Sequence, residues 1–238
     1  MKVAIMQPYF FPYIGYFQLM DAVDLFVFYD DAQYMKGGWL NRNRILRDGA
    51  PAWWTYPIVR DDYRLPVRAR RYGHSKEQVA SMTGKVEGAY RGAAQFADMM
   101  PVIAAHLAHE DDSVSGFNQA HLVGLAKRLG IACRFATSSG IEHDDTLTGQ
   151  ARVIELCKRL DATHYFNAIG GQSLYDPAAF ADAGIALSFV QPGDLAYPQF
   201  DAPPVPYLSI VDVLMFNTLP QARALLRDCR HLHSGPAV

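Results

Sequence analysis

A chain of 238 residues, half of them hydrophobic and 19% charged, is apolar enough for one large domain and excludes a disordered polypeptide. Its formal net charge of −2 argues against an overall nucleic-acid footprint, and the local run Arg64, Arg68, Arg70 and Arg71 reads as a solvated face. Cys133, Cys157 and Cys229 are too sparse for a disulfide framework and fit a reducing compartment; with no signal peptide and no membrane span evident, a cytoplasmic protein is expected.

The apolar run KVAIM, Lys2 to Met6, leads into the aromatic stretch MQPYFFPYIGYF. Pro8 and Pro12 fix φ and disfavour helix at the residue before them, so a strand stops near Gln7 and a stiff loop follows. Pro12 suits the first turn of a helix running through Tyr16, Leu19 and Met20. Asp24 to Tyr29 (DLFVFY) is a second buried strand, ending in Asp30 and Asp31. The β-α-β unit makes the two strands parallel, so Gln7 and the acid pair share one edge of the sheet. In open α/β sheets that edge, with the adjoining helix N-termini, forms the ligand crevice.

After the turn at Gly37 and Gly38, a β-hairpin is expected over about residues 39–59, reversing at Asp48-Gly49. Along its first strand Asn41 and Asn43 alternate with Arg42 and Arg44, one pair to each face. A helical insertion follows over about 60–110, carrying Val79, Met82, Val86 and Tyr90 at helical spacing and a further helix opened by Pro101. The back half repeats helix then strand three times, with strand ends at Ser138-Ser139 and Gly170-Gly171. This predicts an α/β fold with a mainly parallel central sheet flanked by helices, Rossmann-like or nucleotidyltransferase-like, as a single domain over 1–228. Ser209 caps a late helix with Asp212 at its N3 position, and residues 229–238 read as a frayed tail.

Adjacent acids at a strand end suit a general base or an amine anchor, which makes Asp31 and Asp30 the candidate catalytic residues. They equally suit a turn cap or an ion pair with Arg42 or Arg44. Candidate substrate-binding residues are Gln7, Tyr9, Trp39, Asn41, Arg42, Asn43 and Arg44, with Gly170 and Gly171 allowing close backbone approach. No GxGxxG, Walker or GxSxG sequence is present. His106 and His109 have no third ligand nearby in sequence, so no metal site is indicated, and the cofactor is left open.

Four blocks, MQPYFFPYIGYFQLM, DLFVFYDDAQYMKGGWLNRNRI, IGGQSLYD and PYLSIVDVLMFN, occur in an order that resembles the WbqC-like family, which is associated with O-antigen and other surface-polysaccharide gene clusters. The resemblance runs from Lys2 to about Leu226. It implies a cytoplasmic transferase of surface-polysaccharide biosynthesis. The group moved would be acyl or aminoacyl, such as glycyl, passing from a donor to the amine of a nucleotide-linked amino sugar. The alternative is a non-catalytic nucleotide-sugar or glycan binding protein of the same pathway. The opening plan is also similar to nucleotide-binding α/β-phosphodiesterase folds. Pro12, Tyr13, Ile14 and Gly15 stand where the HxGH signature of that fold would be sought, so nucleotidyl transfer is not expected.

Overall fold

Val3, Ala4 and Ile5 are all buried because β1 (Lys2–Met6) lies in the middle of a sheet covered on both faces, the setting in which strands read as unbroken apolar runs. The structure, a computed structural model, describes residues 1–62, 64–201 and 203–234. β1 pairs in parallel with β2 (Leu25–Phe28) on one side and, across the sheet, with the later strand at His164–Ala168 on the other. In chain order the remaining elements begin with α1 (Ile14–Asp21) and a separate antiparallel hairpin, β3 (Arg42–Arg47) and β4 (Ala50–Thr55). Helices α2 (Lys76–Tyr90), α3 (Phe96–Leu107) and α4 (Val114–Leu129) follow. Then come β5 (Arg134–Thr137), α5 (Gly149–Arg159), β6 (His164–Ala168), α6 (Pro177–Asp182), β7 (Ala186–Pro192), α7 (Ile210–Phe216), α8 (Leu219–Arg227) and β8 (Cys229–Ser234).

The sheet order is β5-β2-β1-β6-β7-β8, parallel except for β8. The expected α/β class, parallel sheet and hairpin excursion are therefore present. The frayed tail is not: Cys229 to Ser234 pairs with β7 as an edge strand. Its side chains are mostly exposed, so backbone hydrogen bonds hold it in place, which an apolar pattern does not reveal. Residues 235–238 of that tail lie outside the described residues.

Alternation along the strands sorts the core into two layers. Ala4, Phe26, Phe28 and Phe166 face α1, α4, α7 and α8, while Val3, Ile5, Val27 and Leu187 face α5 and α6. Two helix starts differ from expectation. α1 begins at Ile14, beyond Pro12, with extended Tyr13 as its N-cap. α3 begins five residues before Pro101; burial of Met99, Met100, Ile103 and Leu107 offsets an interior-proline cost of about 3 kcal/mol. Asp48 and Gly49 both take positive φ, 51° and 73°, as a two-residue hairpin turn requires.

The aromatic loop between β1 and α1 is clamped by side chains from distant elements. Asn118 Nδ2 of α4 donates to Pro8 O at 2.8 Å, and Asn43 Nδ2 of β3 donates to Phe10 O at 3.1 Å and Phe11 O at 2.9 Å. Ser209 Oγ donates to Phe11 O at 2.7 Å. Phe11 N–H donates to His121 Nε2 at 3.0 Å, and the two rings stack 4.0 Å apart. Phe11 itself has φ of 38°, a left-handed conformation costly for an aromatic residue, which these bonds hold in place. Ser209 also accepts from Val211 N–H at 3.3 Å as a cap. Asp212, expected to complete a capping box, instead turns inward. It accepts from the Tyr90 and Tyr197 hydroxyls at 2.8 and 2.6 Å and from Gln199 Nε2 at 2.6 Å, because a fully buried carboxylate must be hydrogen-bonded.

His121 is fully enclosed, and burial pushes its imidazole down to about 3 from the ordinary 6.5. The unfolded chain then binds the proton that the native state refuses. Stability contributed by neutral His121 is complete above pH 6.5 and is lost as pH falls towards 3. Between pH 7 and pH 5 the loss is about 2 kcal/mol. Half-buried His164 is shifted the same way, to about 4, so the comparison is with His121→Gln. That variant is expected to be less stable at pH 7 but to lose about 2 kcal/mol less on acidification. Urea unfolding at both pH values measures this, and equal losses for the two proteins would reject it.

Candidate functional site

Strand order reverses at β1. The chain steps outward to β2 and β5, then returns to the opposite side through α5 and β6, so the switch point lies between the carboxyl ends of β1 and β6. Ligands of open α/β sheets bind in that crevice because the two flanking connections leave on opposite faces. A cavity of about 630 Å³ opens there. Its floor includes Met6 and Gln7 after β1 and Asn167 and Ala168 at the end of β6. One wall is α1 with Tyr13 and Tyr16; another is the start of α5 with Gly149 and Gln150. Trp39 and Arg44 lean in from the hairpin side.

The loop clamp decides which aromatics reach this cavity. Phe10 and Phe11 are wholly buried, whereas their neighbours Tyr9 and Tyr13 line the crevice. Gly15 is required beneath Tyr13, since a Cβ there would collide with the phenol ring. Tyr16 donates its hydroxyl to Gln7 O at 2.8 Å, and Gln7 Nε2 donates to Gln33 O at 3.2 Å. Burial raises the phenols of Tyr9, Tyr13, Tyr29 and Tyr175 above the ordinary value, so at neutral pH they are uncharged donors. Arg44 is the one charged side chain lining the cavity among the described residues. Its Nη2 makes a 3.4 Å contact to Tyr207 O, its Nε has no partner, and its guanidinium lies 5.9 Å from the Trp39 ring.

Of the residues singled out in the sequence, Gln7, Tyr9, Trp39, Asn43, Arg44, Gly170 and Gly171 border the cavity. Asn43 does so with its amide engaged by the aromatic loop. Asn41 lies elsewhere, donating to Tyr56 O at 2.8 Å and accepting from the Tyr34 hydroxyl at 3.0 Å. Arg42 binds Gly38 O at 3.3 Å and stacks on Trp53 at 4.2 Å, outside the lining. Gly171 packs against Asn167, while Gly170 faces open space.

Asp30 and Asp31 stand at the same sheet edge but one strand away, against β5. Asp30 accepts from Ser138 Oγ at 3.2 Å, Ser139 N–H at 3.1 Å and Ser139 Oγ at 2.9 Å. Asp31 accepts from Ser138 Oγ and from Arg152 Nη2 at 2.6 Å, with His143 Nε2 3.2 Å away. Neither carboxylate lines the cavity; Tyr29 lies between, lining it and carrying Arg152 5.7 Å above its ring. Arg152 and His143 were not anticipated, although an arginine beside the apolar stripe of Val153 and Leu156 at a helix start was the available signal. Among the described residues no three His, Cys, Asp or Glu side chains converge to hold a metal, and no helix is long and apolar enough to cross a membrane.

Fold and crevice together define an open α/β protein with a cavity at its switch point. The model of the WbqC-like protein family matches residues 7–224, and the chain belongs to that family. It is similar to uncharacterized protein Rv1507c of Mycobacterium tuberculosis (strain ATCC 25618 / H37Rv), with 33% identity over 232 residues covering 96% of this chain and 99% of the relative. No solved structure matches the chain significantly.

The ion pair changes what Asp31→Asn should do. Arg152 is nine-tenths buried, so the substitution removes its close buried counterion, leaves it only the exposed Asp145 at 3.5 Å, and is expected to cost about 3 kcal/mol. Adding Arg152→Gln should restore part of that. A double-mutant cycle by urea unfolding tests the coupling, and strictly additive losses would show that the pair is not linked.

Proposed function

We propose that the switch-point cavity holds a nucleotide-linked sugar and that the protein serves surface-polysaccharide biosynthesis. Arg44 carries this reading. It is the charged group of an otherwise uncharged, largely aromatic and apolar lining, its Nε lacks a partner, and no carboxylate shares the cavity. A guanidinium fork matches phosphate oxygens in geometry and charge. Trp39 and Tyr207 flank it as faces for a base, and Tyr9, Tyr13 and Gln7 offer polar groups to a sugar. A binding site built this way needs no covalent chemistry. The family's association with surface-polysaccharide gene clusters supports the substrate class.

A second reading adds chemistry: transfer of an acyl or aminoacyl group, such as glycyl, to the amine of that sugar. The amine nitrogen would attack the donor's carbonyl carbon, the donor's leaving group would depart, and Asp31 would take the amine proton beside Asp30. This is favoured by the acids standing at the sheet edge adjoining Gln7. It requires Asp31 to exchange one of its present partners, Arg152 or Ser138, for the amine.

Titration calorimetry with a nucleoside-diphosphate amino sugar tests the binding. Arg44→Met should weaken it by about 10- to 100-fold, the usual size for losing a charge-assisted hydrogen bond, without a change in melting temperature. Unaltered affinity in that variant would remove Arg44 and the phosphate reading with it. Incubation with candidate acyl donors, followed by mass spectrometry of the sugar, separates transfer from binding alone.

A further inference from the structure

Soluble domains scatter their exposed hydrophobic side chains, and a cluster of them marks a contact surface. Here five of the eight large exposed hydrophobic residues among those described gather at the mouth of the cavity. Met35, Trp39, Leu174 and Tyr207 line the opening, with Met35, Leu174 and Tyr207 each more than half exposed. Trp53 adjoins them, its ring 5.7 Å from that of Trp39 and itself more than half exposed.

Cations are set among these side chains. Arg42 stacks on Trp53 at 4.2 Å and Arg44 lies 5.9 Å from Trp39, while exposed Lys36 follows Met35 in the chain. Among the described residues none of the three pairs with a carboxylate. Elsewhere on the molecule Arg64, Arg70 and Arg71 are each matched by an aspartate. A chain with a formal net charge of −2 thus keeps an uncompensated positive rim around one opening.

We propose that this rim docks on an anionic lipid surface. Tryptophan and tyrosine belong at the headgroup level, where an apolar ring and a polar edge are both accommodated. Arginine and lysine beside them meet lipid phosphates, and aliphatic Met35 and Leu174 reach the acyl boundary. The contact is peripheral, since no described helix can span the bilayer. Docked in this way, the cavity faces the membrane, so a ligand anchored there by a hydrocarbon tail can place its anionic head beside Arg44. The docking does not depend on what the cavity binds.

Co-sedimentation with vesicles tests it, using equal parts phosphatidylglycerol and phosphatidylcholine against phosphatidylcholine alone. The protein should bind the anionic vesicles, bind the neutral ones much less, and be released by high salt as the charges are screened. The double variant Lys36→Glu, Trp53→Ser changes two exposed residues outside the cavity lining. It should bind about tenfold more weakly with an unchanged melting temperature and unchanged titration of the nucleotide sugar. Trp39 and Trp53 emission should shift blue on binding and be quenched by bromine-labelled lipid, while Trp54, wholly buried, supplies a constant background. Failure to bind anionic vesicles, equal binding to both vesicle types, or full binding by the double variant would overturn the docking. Retained affinity for the nucleotide sugar in that case would leave the proposed function standing.

Discussion

The left-handed backbone at Phe11 is the constraint on which the crevice depends. An aromatic residue does not keep φ of 38° unaided, and here the peptide groups around it are held by Asn43, His121 and Ser209 from three separate elements. Tension in this arrangement runs further. Ser209 N–H donates to Arg44 O at 2.8 Å, and Ile210 N–H to Pro12 O at 2.8 Å, so α7 ties the loop to the strand bearing the cavity's arginine. Asp212, one turn on, reaches Tyr90 of α2, whose hydroxyl in turn accepts from Leu46 N–H at 3.0 Å. The hairpin is thus fastened to the sheet by hydrogen bonds through buried polar side chains rather than by strand pairing. Such a network is strong only when every member is satisfied.

This explains which parts of the molecule were legible in the sequence. Strands β1, β2 and β6 are central and covered on both faces, so their apolar runs declare them, and the turn at Asp48-Gly49 follows from glycine and aspartate tolerating positive φ. Pro8 and Pro12 correctly end β1 before a stiff loop. The clamp itself was invisible, because Asn43, Asn118, His121 and Ser209 are ordinary polar residues until the fold brings them to one loop. β8 was missed for the converse reason: its side chains are exposed, and only the edge of β7 gives the segment a place.

Asp30 and Asp31 show the same limit at the level of the site. Topology alone places them at the carboxyl edge of the sheet, and the structure has them there, outside the cavity lining. The partners that define their electrostatics, Ser138, Ser139, Arg152 and His143, lie more than a hundred residues away. Adjacent acids at a strand end can be a base pair or the anchor of a buried arginine. The second arrangement is what Asp31 adopts, and any catalytic role must work through exchange of those partners.

Charge is consequently sorted by strand. Behind Tyr29, Asp30 is hydrogen-bonded by Ser138 and Ser139 and Asp31 is ion-paired with Arg152. In front of it the cavity carries Arg44 and neutral phenols, and its mouth carries Lys36 and Arg42. Among the described residues Arg44 is the one charged side chain of the lining, and no carboxylate is part of it. The sorting matters because a carboxylate freed into the cavity would offset the charge of Arg44. Holding Asp31 against Arg152 keeps its carboxylate out of the cavity lining, and displacing Asp31 would require another cationic group to take the place of Arg152. In the proposed function, a sugar that bears both a phosphate and an amine would meet that requirement, with the phosphate at Arg44 and the amine directed towards Tyr29 and the acids behind it.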